Sequence, residues 1–117
     1  MRIGLLRDTR APILELVESA CSIQDALDIV SASHEHATHR VLLRARDLPP
    51  EFFELQTRFA GEFIQKLVNY RLRVAGVFGR DLAVSERFRE FVGEARQGQQ
   101  FRSFTLEAEA ISWLESL

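Results

Sequence analysis

Apolar residues along this chain follow two alternating patterns of spacing. Runs that are apolar over strand length alternate with stretches in which apolar residues recur every three or four positions, as on one face of a helix. The runs of strand length are Ile3–Leu6, Ile13–Val17, Val41–Ala45, Leu72–Phe78 and Phe101–Phe104. The pattern predicts the order β-β-α-β-α-β-α-β-α.

This order indicates a single α/β domain over residues 1–117. Because strands that alternate with helices pair mainly in parallel, we predict a mainly parallel sheet with the first strand as an antiparallel edge. A chain of 117 residues is long enough to bury roughly two thirds of its unfolded surface around one core.

Polar residues mark the predicted starts of the helices. Ser22 precedes the first helix and Asp25 follows three residues later, which is a variant of the capping box. Ser85 and Thr105 are predicted to cap the third and fourth helices in the same way. The fourth helix is expected to turn inward Leu106, Ala110, Trp113, Leu114 and Leu117.

The segment Leu48–Tyr70 holds four of the nine Phe residues. At ~100° per residue, a helix over this segment has one apolar side, but Gln56 would fall inside it, where an unpaired amide is costly. We therefore predict a short helical turn after Pro49–Pro50 and a second helix, from Arg58 to Tyr70, that Thr57 caps. The predicted apolar arc is Phe52, Leu55, Phe59, Phe63, Leu67 and Tyr70.

The opposite side of this second helix is polar, with Glu62, Gln65, Lys66 and Asn69. Glu62 precedes Lys66 by four residues, which is the favourable order for an ion pair on a helix. Gly61 costs about 1 kcal/mol relative to Ala inside a helix, so we predict close packing there or the close approach of another group.

Charge and composition exclude several classes of partner. The net charge is −2 and the Arg residues do not cluster, so we expect neither nucleic acid nor a membrane as a partner. No apolar run approaches the ~20 residues of a membrane span. The single cysteine, Cys21, excludes an intrachain disulfide, and the N-terminal segment has no signal-peptide core, so we expect a cytoplasmic protein.

Motifs with known chemistry are few. His34, His36 and His39 are close in sequence, but their spacing is not that of H-E-x-x-H, and metal binding is the less favoured interpretation. The chain has no P-loop, G-x-G-x-x-G or C-x-x-C motif. We therefore predict no catalytic residue, metal or cofactor, and enzyme activity is not the favoured interpretation.

One long motif resembles a known family. The segment FFELQTRFAGEFIQKLVNYRLRVA, which begins at Phe52, resembles the core motif FFDLKTGLAGEILQKFVNYR of a bacterial family named domain of unknown function 4180. SIQDALDIV, from Ser22, resembles its first-helix motif, and the resemblance covers roughly residues 13–117. Glu54, Gln56 and Arg58 depart from the family's Asp, Lys and Gly, so a ligand that contacts these positions would be bound differently or not at all.

The resemblance implies no particular activity. The family's order of strands and helices is similar to the STAS and SpoIIAA-like fold of anti-sigma-factor antagonists. Those proteins place a phosphorylatable hydroxyl at the start of the helix that follows a parallel strand. By this analogy Thr57 occupies a comparable place, although capping alone explains a Thr there.

Two functions follow as hypotheses. The first is a STAS-like regulatory or protein-interaction module that docks a protein partner on the helix after Thr57, a second copy of the chain being one candidate. The alternative is a small-ligand or nucleotide-binding protein, or an enzyme, that uses the rim of strand ends with Asp47 and Asp81 beside that helix. The predicted binding residues are Gln56, Thr57, Arg58, Gly61, Glu62, Gln65, Lys66 and Asn69.

Overall fold

The structure, a computed structural model, describes residues 3–6, 9–17, 22–48, 59–78 and 100–116. Its strands are β1 (Ile3–Leu5), β2 (Leu14–Leu16), β3 (Arg40–Arg44), β4 (Arg73–Val77) and β5 (Phe101–Phe104). Its helices are α1 (Ile23–Glu35), α2 (Phe59–Asn69) and α3 (Glu107–Glu115), and a 3₁₀ turn, Ala45–Asp47, follows β3.

The five strands form one mixed sheet in the order β1-β2-β3-β4-β5. β1 is antiparallel to β2, and the other neighbours are parallel, which confirms the predicted antiparallel edge. The described order, β-β-α-β-α-β-β-α, differs from the predicted order. The helix predicted after Ser85 falls in residues 79–99, outside the described residues, and the STAS-like topology is not confirmed.

Helices lie on both faces of the sheet, so its central strands are buried on both sides. Val41 and Leu43 belong to the core under α1 and α2, whereas Leu42, between them, packs under α3 with Ala110 and Leu114. This explains why the run is almost continuously apolar, as in other parallel strands that are covered on both faces.

Two Arg residues of β3 hold the two ends of α3. Arg44, the last residue of β3, forms an ion pair with Glu107, the first residue of α3. At the other end, Arg40 Nε donates a hydrogen bond to the carbonyl oxygen of Leu114 at 2.9 Å. α3 is therefore held to the sheet by polar contacts at both ends and by apolar burial between them.

The end of α2 is formed by a residue in the left-handed region, Arg71, at φ 64°. Its N–H donates to the carbonyl of Val68 at 2.8 Å, and the N–H of Leu72 donates to the carbonyl of Leu67 at 3.1 Å. This pair of hydrogen bonds is the Schellman motif, which usually places glycine at the left-handed position. α1 ends in the same way at Ala37, φ 51°.

Three details of the predicted helices are wrong. Tyr70, expected in the apolar arc, is 51% exposed, and Leu106, expected to turn inward, is 57% exposed. Tyr70 follows the last residue of α2 and lies one turn beyond Lys66, at the polar edge of the helix. Leu106, and not Thr105, is the N-cap of α3, so it lies before the first turn and does not reach the core.

Candidate functional site

An open groove lies along the outward side of α2 at the start of α1. Its volume is about 370 Å³. The lining residues are Ile23, Gly61, Glu62, Gln65, Lys66 and Asn69, and we call this feature the α2 groove. Five of the eight predicted binding residues therefore lie together.

The sequence did not indicate Ile23 as a groove residue, because its spacing in α1 matches that of the residues that face the core. In the structure Ile23 is half-buried in the first turn of α1. Ser22, before it, donates its backbone N–H to the Asp25 carboxylate at 3.1 Å, so the predicted capping box forms and sets the start of α1. The cap thereby positions Ile23 at the edge of the groove.

The groove residues of α2 form two neighbouring rows along the helix. Gly61, Gln65 and Asn69 are four residues apart along one row, and Glu62 and Lys66 begin the next. Gln65 Nε2 donates to Asn69 Oδ1 at 2.8 Å, which orients both amides. Their remaining donors and acceptors have no partner among the described residues, so both amides can bind a further group.

Gly61 borders open space. A Cβ atom built at this position would meet no described atom within 4 Å, so the predicted close packing is wrong. Contacts with the described residues therefore do not demand glycine at this position, and the bare backbone leaves the groove open instead.

Glu62 and Lys66 have the favourable order for an ion pair on a helix, but the two side chains do not form one. Both side chains are exposed, and within the described residues neither lies within 4.0 Å of an opposite charge. The α2 groove therefore presents one acid and one base, one helical turn apart, to the solvent.

Of the second predicted site, the rim of strand ends, the structure describes Asp47. Asp47 is 8% exposed in the 3₁₀ turn after β3 and does not line the groove. Burial raises the pKa of Asp47 above its ordinary value, and this effect outweighs the nearby Arg46 and Arg44. Gln56, Thr57, Arg58 and Asp81 lie outside the described residues.

Arg44, close to Asp47, already has acidic partners. Its Nη1 lies 2.7 Å from Glu15 Oε2, and its Nε contacts Glu107. Burial alone would lower the pKa of Arg44, but the hydrogen bonds that Arg44 donates to Glu107 and Glu15 raise it. These paired charges join β2, β3 and α3, so they are a structural feature and not a vacant anion site.

The His cluster shows no metal-binding geometry. Among the described residues, which include all three His, no group of three or more His, Cys, Asp or Glu residues could hold a metal ion. Burial lowers the pKa of His39, and the neighbouring charges of Arg40 and Arg73 lower it further. Across the parts of the chain that the structure describes, none of the helices has the length and apolar character needed to cross a bilayer.

Comparison with protein families agrees with the motif around α2. Residues 10–114 match the family described as Domain of unknown function (DUF4180). The chain belongs to this family. No curated protein and no solved structure matches it significantly. The matched residues include the α2 groove, but membership assigns it no activity.

Proposed function

We propose that this member of the family is a regulatory protein-interaction module that docks a protein partner on the α2 groove. The observation that carries the proposal is that the two sides of α2 differ in burial and in contacts. Phe63, Ile64 and Leu67 are buried and account for the fold, whereas the side that bears Gln65 and Lys66 is exposed and has no structural partner among the described residues.

The shape and chemistry of the groove favour a protein over a small molecule. Small-molecule sites enclose most of the ligand, whereas this groove is open to solvent. Four of its six lining residues are polar or charged and can form hydrogen bonds or ion pairs with a protein surface. Amide side chains such as Gln65 and Asn69 present a donor and an acceptor together, which suits an exposed peptide backbone. The STAS-like analogy agrees with a regulatory role but does not carry the proposal.

A small-ligand function is the second candidate. One observation favours it, because a volume of about 370 Å³ lies within the roughly 300–1,000 Å³ of known ligand sites. Among the described residues, the α2 groove is where such a ligand would lie.

Site-specific photo-cross-linking in the native host tests the proposal. A photoreactive amino acid replaces Gln65 in the groove or, as the matched control, Ser112, which is exposed on α3. We expect a discrete protein adduct from position 65 and none from position 112. The same adducts from both positions, or none from either, would count against protein docking.

Two variants separate loss of binding from loss of folding. Gly61→Leu places a side chain in the open space above the helix, where a Cβ atom meets no described atom within 4 Å, and replaces a residue that costs about 1 kcal/mol in a helix. It should therefore unfold at a higher temperature than the wild type and yet weaken the cross-link from position 65. Gln65→Ala/Lys66→Ala/Asn69→Ala, with cross-linking from the neighbouring position 62, should abolish the adduct. Full cross-linking by both variants contradicts the proposal.

A further inference from the structure

We propose that Arg102 and Trp113 form a binding site for a carboxylate, on the face of the sheet opposite to the α2 groove. The carboxylate is attached to an apolar group, as in an aromatic acid or at the C-terminus of a peptide. Two observations carry the proposal: Arg102 has a buried N–H group without an acceptor, and its guanidinium lies over an aromatic ring. The site is separate from the α2 groove and goes beyond the function proposed for that groove.

Arg102 lies on β5, the last strand of the described sheet. It is the register partner of Ala75 on β4, which pairs in turn with Leu42 on β3. Ala75 and Leu42 are buried under α3, so the side chain of Arg102 emerges on the α3 face at the edge of this core. α1 and α2 pack on the other face, so the sheet separates Arg102 from the α2 groove.

The Arg102 side chain lacks a hydrogen-bond acceptor. Its Nε atom is shielded from solvent and has no acceptor, and within the described residues its guanidinium forms no ion pair. Most buried polar atoms in proteins have a partner, because leaving one without a partner costs free energy. Arg102 as a whole is only half-buried, so a rotation of its side chain can turn the Nε–H edge toward solvent without breaking a hydrogen bond.

Aromatic rings form the wall beside this guanidinium. Arg102 Cζ lies 5.4 Å from the centre of the Trp113 ring, within the range of a cation–π contact. The Trp113 ring in turn contacts Phe104, with 5.7 Å between the ring centroids. Both aromatic side chains are half-buried, so they leave apolar surface for the group that carries the carboxylate.

The available donors select a carboxylate. One edge of a guanidinium presents two parallel N–H groups, which match the two oxygens of a carboxylate. A phosphate has further oxygens that need donors, and two other cations on this face, Arg73 and its register partner Arg40, already have partners. Their positive charges still favour an anion over a neutral ligand at Arg102.

Titration with phenylacetate tests the proposal. The chain has a single Trp, so the fluorescence of Trp113 reports on this site alone. We expect a saturable change in emission with a Kd on the order of 1 mM, as for a small ligand held by one charged contact. Phenylacetamide, which has the same ring and no charge, should cause no saturable change. The indole N–H resonance of Trp113 in a heteronuclear NMR spectrum should shift with the same Kd.

Three variants assign the binding to Arg102. Arg102→Met keeps the apolar stem and should weaken phenylacetate binding at least about tenfold, while its fold is retained because no hydrogen bond is lost. Arg102→Lys keeps the charge but cannot form two parallel hydrogen bonds, so it should also bind more weakly than the wild type. Arg46→Met, a change at an Arg whose side chain is 75% exposed, is the matched control and should bind like the wild type.

Two sources share this ligand chemistry, a free acid and a peptide C-terminus. N-acetyl-Gly-Phe and its amide are therefore titrated in parallel, and tighter binding of the peptide acid than of phenylacetate would identify the peptide as the source. The proposal is overturned if neither acid gives a saturable change, if the amides bind as well as the acids, or if both Arg102 variants bind like the wild type. Tighter binding of inorganic phosphate than of either acid would exclude a carboxylate as the ligand.

Discussion

Replacing Arg44 with methionine tests what fastens α3 to the sheet. Arg44 is 11% exposed and contacts two carboxylates, Glu15 on β2 and Glu107 at the start of α3. Methionine preserves most of the apolar stem, so the change removes the charge with little loss of packing. Its main effect is to leave both carboxylates without their cation.

The exposure of each partner sets the expected magnitude. The Glu15 side chain is only 21% exposed, and a charged hydrogen bond of this kind contributes about 1.5–3 kcal/mol. The Glu107 side chain is 45% exposed, so solvent screening limits its pair to about 0.2–1 kcal/mol. We therefore expect Arg44→Met to lower the free energy of unfolding by about 2–4 kcal/mol, and Glu15→Gln to cost more than Glu107→Gln.

Urea unfolding of a double-mutant cycle measures this effect. Glu15→Gln should destabilise the wild type but stabilise the Arg44→Met variant, because in that variant it removes a partly buried carboxylate that has lost its partner. The slope of unfolding free energy against urea should stay constant throughout. If Glu15→Gln destabilises both backgrounds equally, Arg44 and Glu15 are not coupled and the reasoning is refuted.

Three further changes have definite expected results. Gly76→Ala would place a Cβ atom 2.5 Å from the Phe78 ring, so it should lower the free energy of unfolding in urea by about 1–3 kcal/mol. The same change in a Phe78→Leu background should cost less, because the ring is gone. An unchanged urea midpoint for Gly76→Ala would contradict the contact. Because burial raises the pKa of Asp47 above 3.8, the folded state holds its proton to a higher pH than the unfolded state, and stability falls as the pH rises through that interval. Asp47→Asn should reduce this loss of stability with rising pH and raise the melting temperature at neutral pH. If stability falls with pH as steeply in the variant as in the wild type, Asp47 is not the group responsible. Arg71→Gly should raise the free energy of unfolding by up to about 1 kcal/mol, because glycine adopts a positive φ without strain. Arg71→Ala, the control, should not raise it. Equal urea midpoints for the two variants would contradict strain at this position.

Local spacing predicted the elements of the described fold well. The predicted strand Phe101–Phe104 has the observed bounds of β5, and Ser22 with Asp25 forms the predicted capping box at α1. Both depend on residues a few positions apart, whose spacing the backbone geometry of a strand or helix determines. The antiparallel edge strand also followed, because a short polar loop joins the first two apolar runs.

The predictions were wrong where the end of a helix or a neighbouring element determines whether a side chain is exposed. Tyr70 fits the apolar spacing of α2, but it lies just past the last helical residue, where Arg71 turns the chain away. Its spacing of four residues from Lys66 was the signal that could have placed it with the polar row. Glu62 and Lys66 had the favourable order, yet exposed long side chains gain too little from pairing to hold one geometry.

The sequence by itself determined the alternation of strands and helices, the buried character of β3, and the division of α2 into an apolar and a polar side. These properties follow from periodicity, which acts over a few residues. Only the tertiary structure decided that Gly61 borders open space, that Ile23 completes the α2 groove, and that Arg44 is already paired. Glu15, Arg44 and Glu107 are far apart in the chain, and only the packing of β2, β3 and α3 brings their charges within hydrogen-bonding distance.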